Sequence, residues 1–423
     1  MSGFGLSRGR FALLFSVMLV AAAGNTAMQS LLPAIGRVLR VPDIWVAVAF
    51  SLSAVAWVVM APYWAHRADR RGRRALMRLG LGGFVASMLI CGGALAFGLA
   101  GQAGAVAVFA VFIAGRSIYG IFGSASPPAV QAYIAARTEG DARTNALAVI
   151  ASSFGLGTII GPAIAPLFIF PPLGLSAPLI VFAIVGAVVF ALIVTRLPDD
   201  TPRSEARGQI VAYPSLGGSE PPPISDDPAP ARLRWRDPRV LPWHVMGIVG
   251  GHGQAVMLSV VGFLIIDRLS LPLDHAQQWI AIVLIVGALA TLLGQWWLIP
   301  QLKLGPRELV IWGSIVGAVG TAVTGVAESM YGITIGYAVA SLGFGLFRPG
   351  FTSGASLAVG QHEQNAVAGM VTSVNGIAYI AAPAAGVALY MLSLPLPFLV
   401  TAFVMLALAA WTAFAVRPSD PAV

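Results

Sequence analysis

Residues 44–99 read IWVAVAFSLSAVAWVVMAPYWAHRADRRGRRALMRLGLGGFVASMLICGGALAFGL. Two apolar runs, each near the roughly 20 residues that cross a bilayer as a helix, flank a short segment dense in arginine. From Arg67 to Arg78 that segment holds six arginines. Positive charge packed between two apolar runs reads as a membrane hairpin whose turn stays in water on one side.

The pattern extends in both directions. Apolar runs fall near 11–35, 44–64, 76–99, 104–126, 145–169, 175–196, 241–265, 278–299, 309–327, 331–357, 366–390 and 395–416. Composition agrees, since 57% of the 423 residues are hydrophobic and only 10% charged, where a soluble domain carries about 25% charged residues. Lipid contact has to replace the missing polar surface. Inside lipid the backbone must satisfy its own hydrogen bonds, so the expected fold is an all-α membrane protein of twelve transmembrane helices.

The basic residues sort by side. With the amino terminus in the cytoplasm, 20 of the 25 Lys and Arg fall in cytoplasmic segments; Arg37, Arg40 and Arg268 fall outside, and Arg116 and Arg348 lie within spans. That bias predicts both termini on the cytoplasmic side. Arg8, Arg10 and the run up to Ala21-Ala22-Ala23 resemble a cleavable signal peptide. Removing that run would leave eleven spans and break the repeat described next, so it is read as an uncleaved helix.

Nine prolines, from Pro198 to Pro238, punctuate residues 197–239, a polar and charged stretch with nothing to bury. It is expected to be a cytoplasmic linker between a bundle at 1–196 and a second at 240–423. The two halves repeat. At an offset of 221 residues Pro128 matches Pro349 and Pro162 matches Pro383, as do Gly115 and Gly336, Ser152 and Ser373, Gly155 and Gly376, and Ile159 and Ile380. Parallel duplication about the membrane normal implies a substrate site between the halves near mid-membrane.

Three segments carry a family resemblance. Ala65-His66-Arg67-Ala68-Asp69-Arg70-Arg71-Gly72-Arg73-Arg74 resembles the signature loop of the major facilitator superfamily, Gly-x-x-x-Asp-Arg-x-Gly-Arg-Arg, with Ala65 in the first glycine position. Gly72 permits a tight reversal because it tolerates positive φ, and Asp69 can accept from arginines or helix-end amides. In that family the loop is a cytoplasmic gate, which would involve Asp69, Arg70, Gly72 and Arg73. Its second-half counterpart, Leu302-Lys303-Leu304-Gly305-Pro306-Arg307, has no acid. In span four, Arg116-Ser117-Ile118-Tyr119-Gly120 resembles Arg-x-x-Gln-Gly, with Tyr119 replacing Gln. Span five carries Gly157, Gly161 and Pro162, which resemble the Gly-x-x-x-Gly-Pro element of exporters.

In this order, the three segments resemble the twelve-span drug:proton antiporter branch, relatives of tetracycline and multidrug exporters. The resemblance implies a secondary transporter, expected to act as a monomer, and the arginine- and alanine-rich composition points to a bacterial source and so to the cytoplasmic membrane. By alternating access it would exchange protons for a drug-like or organic-anion substrate. Uptake or exchange of a small metabolite by the same fold is the alternative, and a membrane-embedded lipid-modifying enzyme is the rival from another class.

Exporters of that branch commonly carry an acid in span one, where this chain offers Asn25 and Gln29. All 17 acidic residues fall in loops or at helix ends, Asp267 lying nearest a membrane interior. The candidate proton carrier is therefore His252, with His244 eight residues earlier on roughly the same face. Gly250-Gly251-His252-Gly253-Gln254 would loosen span seven. An arginine in mid-membrane should face an internal cavity. Arg116 and Arg348, without an embedded carboxylate, point to an anionic or zwitterionic substrate, although Arg348 lies late enough in its span to snorkel to the surface. Asn25, Gln29, Tyr119, Gln254, Asn375 and Tyr379 complete the expected cavity lining.

Other classes find little support. Nucleic-acid binding would need a solvated basic domain. Lys303 is the only lysine and has no Gly-x-x-x-x-Gly-Lys-Ser/Thr loop around it, which argues against ATP hydrolysis. His-Glu-x-x-His is missing from the sequence, and Cys91 is the one cysteine. No cofactor or metal is called for.

Overall fold

The computed structural model describes residues 7–135, 137, 140–198, 233–270, 272–360 and 363–416. Most of the expected linker, together with Arg417 and His362, lies outside the described residues, as do the side chains of Asp69, Arg70, His66 and His275. The chain divides into two compact units, Met1–Gly218 and Ser219–Val423.

In the first unit the helices are α1 (Arg8–Val38), α2 (Asp43–Arg71), α3 (Arg73–Leu99), α4 (Ala105–Ile118), α5 (Ser126–Ala135), α6 (Gly140–Ile164) and α7 (Ala177–Arg196). A π-helical turn, Tyr119–Gly123, follows α4, and α4, this turn and α5 form one continuous rod. The second unit holds α8 (Leu241–Leu269), α9 (Leu273–Leu293), α10 (Ile299–Leu302), α11 (Pro306–Val326), α12 (Met330–Leu357), α13 (Gln364–Leu392) and α14 (Leu396–Ala415), with a second π turn, Gly294–Leu298, between α9 and α10. Eleven of the described rods are long and apolar enough to cross a membrane, and a twelfth rod, α6, is 25 residues long and leads into the shorter apolar stretch Leu156–Phe168. Large apolar side chains stand outward along them, Phe403 73% and Phe414 89% exposed, a surface that suits lipid and not water.

The hairpin of residues 44–99 is tighter than expected. The charged segment was read as a loop after residue 64, but α2 continues through Arg71 and α3 begins at Arg73. Arginine is a good helix former, so the charges do not end the helix. Gly72 alone breaks it, at φ 83°, a conformation that costs a side-chain-bearing residue about 1–2 kcal/mol. Asp69 and Arg70 thus belong to the last turn of a helix.

Packing repeats between the units as the sequence does. In the first, α1 lies against α6 and α7, and α3 against α4 and α7; in the second, α8 lies against α13 and α14, and α11 against α12 and α14. Each unit also ties its third rod to its sixth with an arginine. Arg74 donates to the Val194 carbonyl near the end of α7. Arg307 donates from Nε to Val416 O and from Nη2 to Ala413 O, both at 2.8 Å. Guanidinium groups on the last carbonyls of a helix satisfy acceptors that have no partner within it and complement its dipole.

Candidate functional site

The candidates fall into two groups, one in each unit. In the first, Arg116 is the centre. It lies in the last turn of α4, where the chain passes into the π turn. Such a turn shifts the backbone hydrogen bonds by one residue and leaves carbonyls to be served by side chains. Two residues of α2 serve them: Ser53 Oγ donates to Arg116 O at 3.0 Å, and Trp64 Nε1 donates to Ile121 O at 2.6 Å. Gly120 lets the turn approach α2 closely, since a Cβ there would strike the Ser53 carbonyl.

The Arg116 side chain is 3% exposed. Its guanidinium carbon lies 4.9 Å from the centre of the Phe50 ring and 5.2 Å from that of Tyr119, within reach of cation–π attraction. Nε and Nη1 have no hydrogen-bond partner among the described residues. Tyr119 is itself buried, its ring 5.4 Å from Trp57 and 5.8 Å from Phe84. Both side chains are buried within the first unit. A small crevice beside Tyr119 is lined by Val17, Met18, Ala21, Trp57 and Pro127. Phe50 and Phe84 carried no signal in sequence; only the Arg116–Tyr119 spacing of three on a helix pointed here.

The span-five glycines hold α6 against α1. A Cβ at Gly157 would strike the Leu19 carbonyl, and one at Gly161 the Ala23 carbonyl and Thr26 Oγ1. Thr26 Oγ1 lies 3.4 Å from Gly157 O. Pro162 lies inside α6, next to Gly161. On α1, Asn25 and Gln29 are half-buried, and Asn25 Oδ1 has no hydrogen-bond partner among the described residues.

In the second unit, His252 is half-buried on α8 with Nδ1 2.7 Å from Ile248 O. A carbonyl only accepts, so Nδ1 carries the hydrogen and Nε2 is the nitrogen that can take up a proton. Gln254 and Asn375 are half-buried, and Tyr379 of α13 packs against Ala255, Val256 and Ala382. Arg348 is exposed on α12. Asp267, in the last turn of α8, accepts from Tyr390 Oη at 2.7 Å. Arg268 caps α11 by donating to Gly325 O and Ala327 O at 3.0 and 3.1 Å.

Sequence reasoning named His244 but missed the ion-pair cluster at the start of α8. His244 is 2% exposed. Its ring lies 5.3 Å from that of Trp235. Nearby, Arg239 donates to both carboxylate oxygens of Glu363 at 2.8 and 2.9 Å, and to Asp237 at 2.8 and 3.1 Å. These bonds hold the Asp237 and Glu363 carboxyls below their ordinary range and raise the Arg239 guanidinium above its own. In the sequence Arg239 signals only positive charge on the cytoplasmic side.

Comparison with known proteins gives this arrangement a context. The chain is 25% identical to Multidrug resistance protein 2 of Bacillus subtilis (strain 168) over 402 residues, covering 94% of this chain and 92% of that protein. In fold it is similar to a bacterial homolog of the human lysosomal transporter Spinster, inward-facing and occupied, with a TM-score of 0.75 at 12% identity over 96% of each chain. It is also similar to the human organic anion transporter MFSD10 (TETRAN), with a TM-score of 0.63 at 17% identity over 96% of this chain and 100% of that one. The nucleoside transporter NupG matches with a TM-score of 0.69 at 15% identity, over 97% and 99% of the two chains. The family model of the Major Facilitator Superfamily matches residues 13–301. With that match over more than half its length, on twelve rods packed as two repeated bundles, the chain belongs to the major facilitator superfamily.

Proposed function

We propose that this transporter is a proton-coupled exporter of drug-like or organic-anion molecules. It works as a monomer in a bacterial cytoplasmic membrane with both termini in the cytoplasm. The observation that carries this reading is the likeness to Multidrug resistance protein 2 along 94% of the chain, joined to the exporter-type Gly157, Gly161 and Pro162 on α6. Membership of a transporter superfamily removes the membrane-enzyme rival.

On this reading, bundles 1–196 and 240–423, joined by the 197–239 linker, rock about a site that opens to one side at a time. The Gly72 reversal, with Asp69, Arg70 and Arg73, forms the cytoplasmic gate. Asn25, Gln29, Tyr119, Gln254, Asn375 and Tyr379, with Arg116 and Arg348, line the path. His252 exchanges the proton through Nε2, since no acid stands in the middle of a span.

The test is flux in proteoliposomes under an imposed pH gradient, with lipophilic drugs screened against organic anions. Efflux-directed movement of at least one substrate, collapsing with the gradient, is expected. Substrate movement that ignores the gradient, or that runs only inward, refutes the proposal.

A further inference from the structure

Immediately before α8, whose membrane-crossing stretch begins at Leu241, the chain folds into a short basic turn. Asp237 N donates to Arg234 O at 3.0 Å, which places Trp235 and Arg236 at the tip of the turn. Val240 N and Leu241 N then donate to Asp237 O at 3.1 and 2.9 Å, so the turn runs straight into the helix. It is fastened at two points. Arg239 bridges Asp237 to Glu363 at the start of α13, and the buried ring of His244 lies 5.3 Å from that of Trp235. The outward side chains are therefore held in place before any partner arrives.

The charges of this turn are met unequally. Arg239 answers Asp237 and Glu363, and these two carboxylates answer it. Arg234 and Arg236 are exposed, and neither forms a salt bridge to a described carboxylate. Between them Trp235 is 43% exposed, and Leu241 at the helix start is 40% exposed. An indole between two guanidinium groups, at the mouth of a membrane span, matches the headgroup layer. The ring has an apolar body and a polar edge suited to that depth, and arginines there reach phosphates.

We propose that the Arg234-Trp235-Arg236 turn docks on anionic phospholipid headgroups of the leaflet at which α8 starts. Arg234 and Arg236 donate to lipid phosphates through their forked N–H groups, and Trp235 lies at headgroup level. Charge selects the lipid. Phosphatidylglycerol carries a net negative charge, whereas phosphatidylcholine cancels its phosphate with its own ammonium. Because Arg239 and Glu363 couple the turn to α13, the docked turn pins the α8–α13 pair at the membrane surface. The inference asks only that α8 crosses a bilayer, and it is independent of what the transporter carries and in which direction.

Tryptophan quenching in nanodiscs tests the surface. The full chain is placed in phosphatidylcholine discs with or without phosphatidylglycerol. Each disc carries the same small share of phosphatidylcholine with a nitroxide on its headgroup, an uncharged quencher. The chain has ten tryptophans, so Trp235 is read as the difference in emission between the chain and Trp235→Phe. Each arginine near an anionic surface is worth roughly fivefold in binding, and the pair about 25-fold. Quenching of Trp235 is therefore expected to be strong with phosphatidylglycerol, weak without it, and to fade as salt is raised. Arg234→Gln/Arg236→Gln should bring the two discs level. Arg8→Gln/Arg10→Gln removes the same charge from the exposed start of α1 and should leave the difference intact. Equal quenching of the unaltered chain in the two discs overturns the proposal, and so does a difference that survives Arg234→Gln/Arg236→Gln. The comparison on the unaltered chain decides even where a variant does not fold. Trp235 emission that ignores the lipid but shifts when poly-glutamate is added assigns the surface to an acidic protein segment, and this too overturns the proposal.

Discussion

Replacing Gly161 with alanine places a methyl group where α6 leans on α1, against the Ala23 carbonyl and Thr26 Oγ1. Backbone cannot rotate away as a side-chain tip can, so the two helices must separate. Overpacking of this kind costs about 1–3 kcal/mol. Alanine also favours a helix over glycine by roughly 0.5–1 kcal/mol, which blurs the raw effect. Gly93 of α3 supplies the control, because a Cβ there meets nothing within 4 Å. The helix preference is common to both substitutions and cancels in their difference, leaving the packing cost alone. At about 2–4 °C per kcal/mol for a bundle of this size, Gly161→Ala should melt roughly 2–12 °C below Gly93→Ala. The chain provides its own reporter: Cys91 is the one cysteine and is fully buried in α3 of the same unit. A fluorogenic maleimide reacts with it only as that unit opens. Equal melting temperatures for the two variants, or a higher one for Gly161→Ala, would refute the close packing of α1 and α6.

Three further outcomes are expected. Gly72→Ala forces a Cβ into positive φ at the α2–α3 reversal and should destabilise the first unit by about 1–2 kcal/mol, read by the same thiol assay; an unchanged melting curve would show that the junction adopts another conformation. The carboxyls of Asp237 and Glu363 are held low by Arg239, so their contribution to stability is present above the ordinary carboxylate range and lost as pH falls through their depressed values. Tryptophan-monitored melting of the second unit should therefore drop as pH is taken below about 4, and Glu363→Gln should lower the neutral-pH value and flatten that dependence; a wild-type curve in the variant removes the role of the cluster. His252→Ala should abolish gradient-driven flux while leaving membrane insertion intact, and normal flux in that variant would dispose of His252 as the proton carrier.

Span number, span limits and the charge bias were legible because they depend on local properties, the length of an apolar run and the charges at its ends. The third run was expected at 76–99 and the helix is Arg73–Leu99; the sixth was expected at 175–196 and the helix is Ala177–Arg196. The internal repeat was legible too, since duplicated prolines and glycines keep their spacing whatever the helices touch. The α2–α3 junction was legible only in part: Gly72 announced a reversal, but arginine density was mistaken for loop, because charge marks the water boundary and not the end of a helix.

What the tertiary structure decided was which side chains meet. Phe50 lies on α2 and Arg116 on α4, and no periodicity says that the rotation of the two helices lays one upon the other. The π turn at Tyr119–Gly123 arises from contacts across α2 and is served by Ser53, 63 residues away from the carbonyl it bonds. Arg239 and Glu363, 124 residues apart, meet because α8 and α13 pack together. Membrane helices are apolar nearly all round, so hydrophobic pattern, which orients a helix in a soluble protein, fixes neither their rotation nor their register. Small residues at points of close approach do that instead, and their effect is visible only once the helices are in contact.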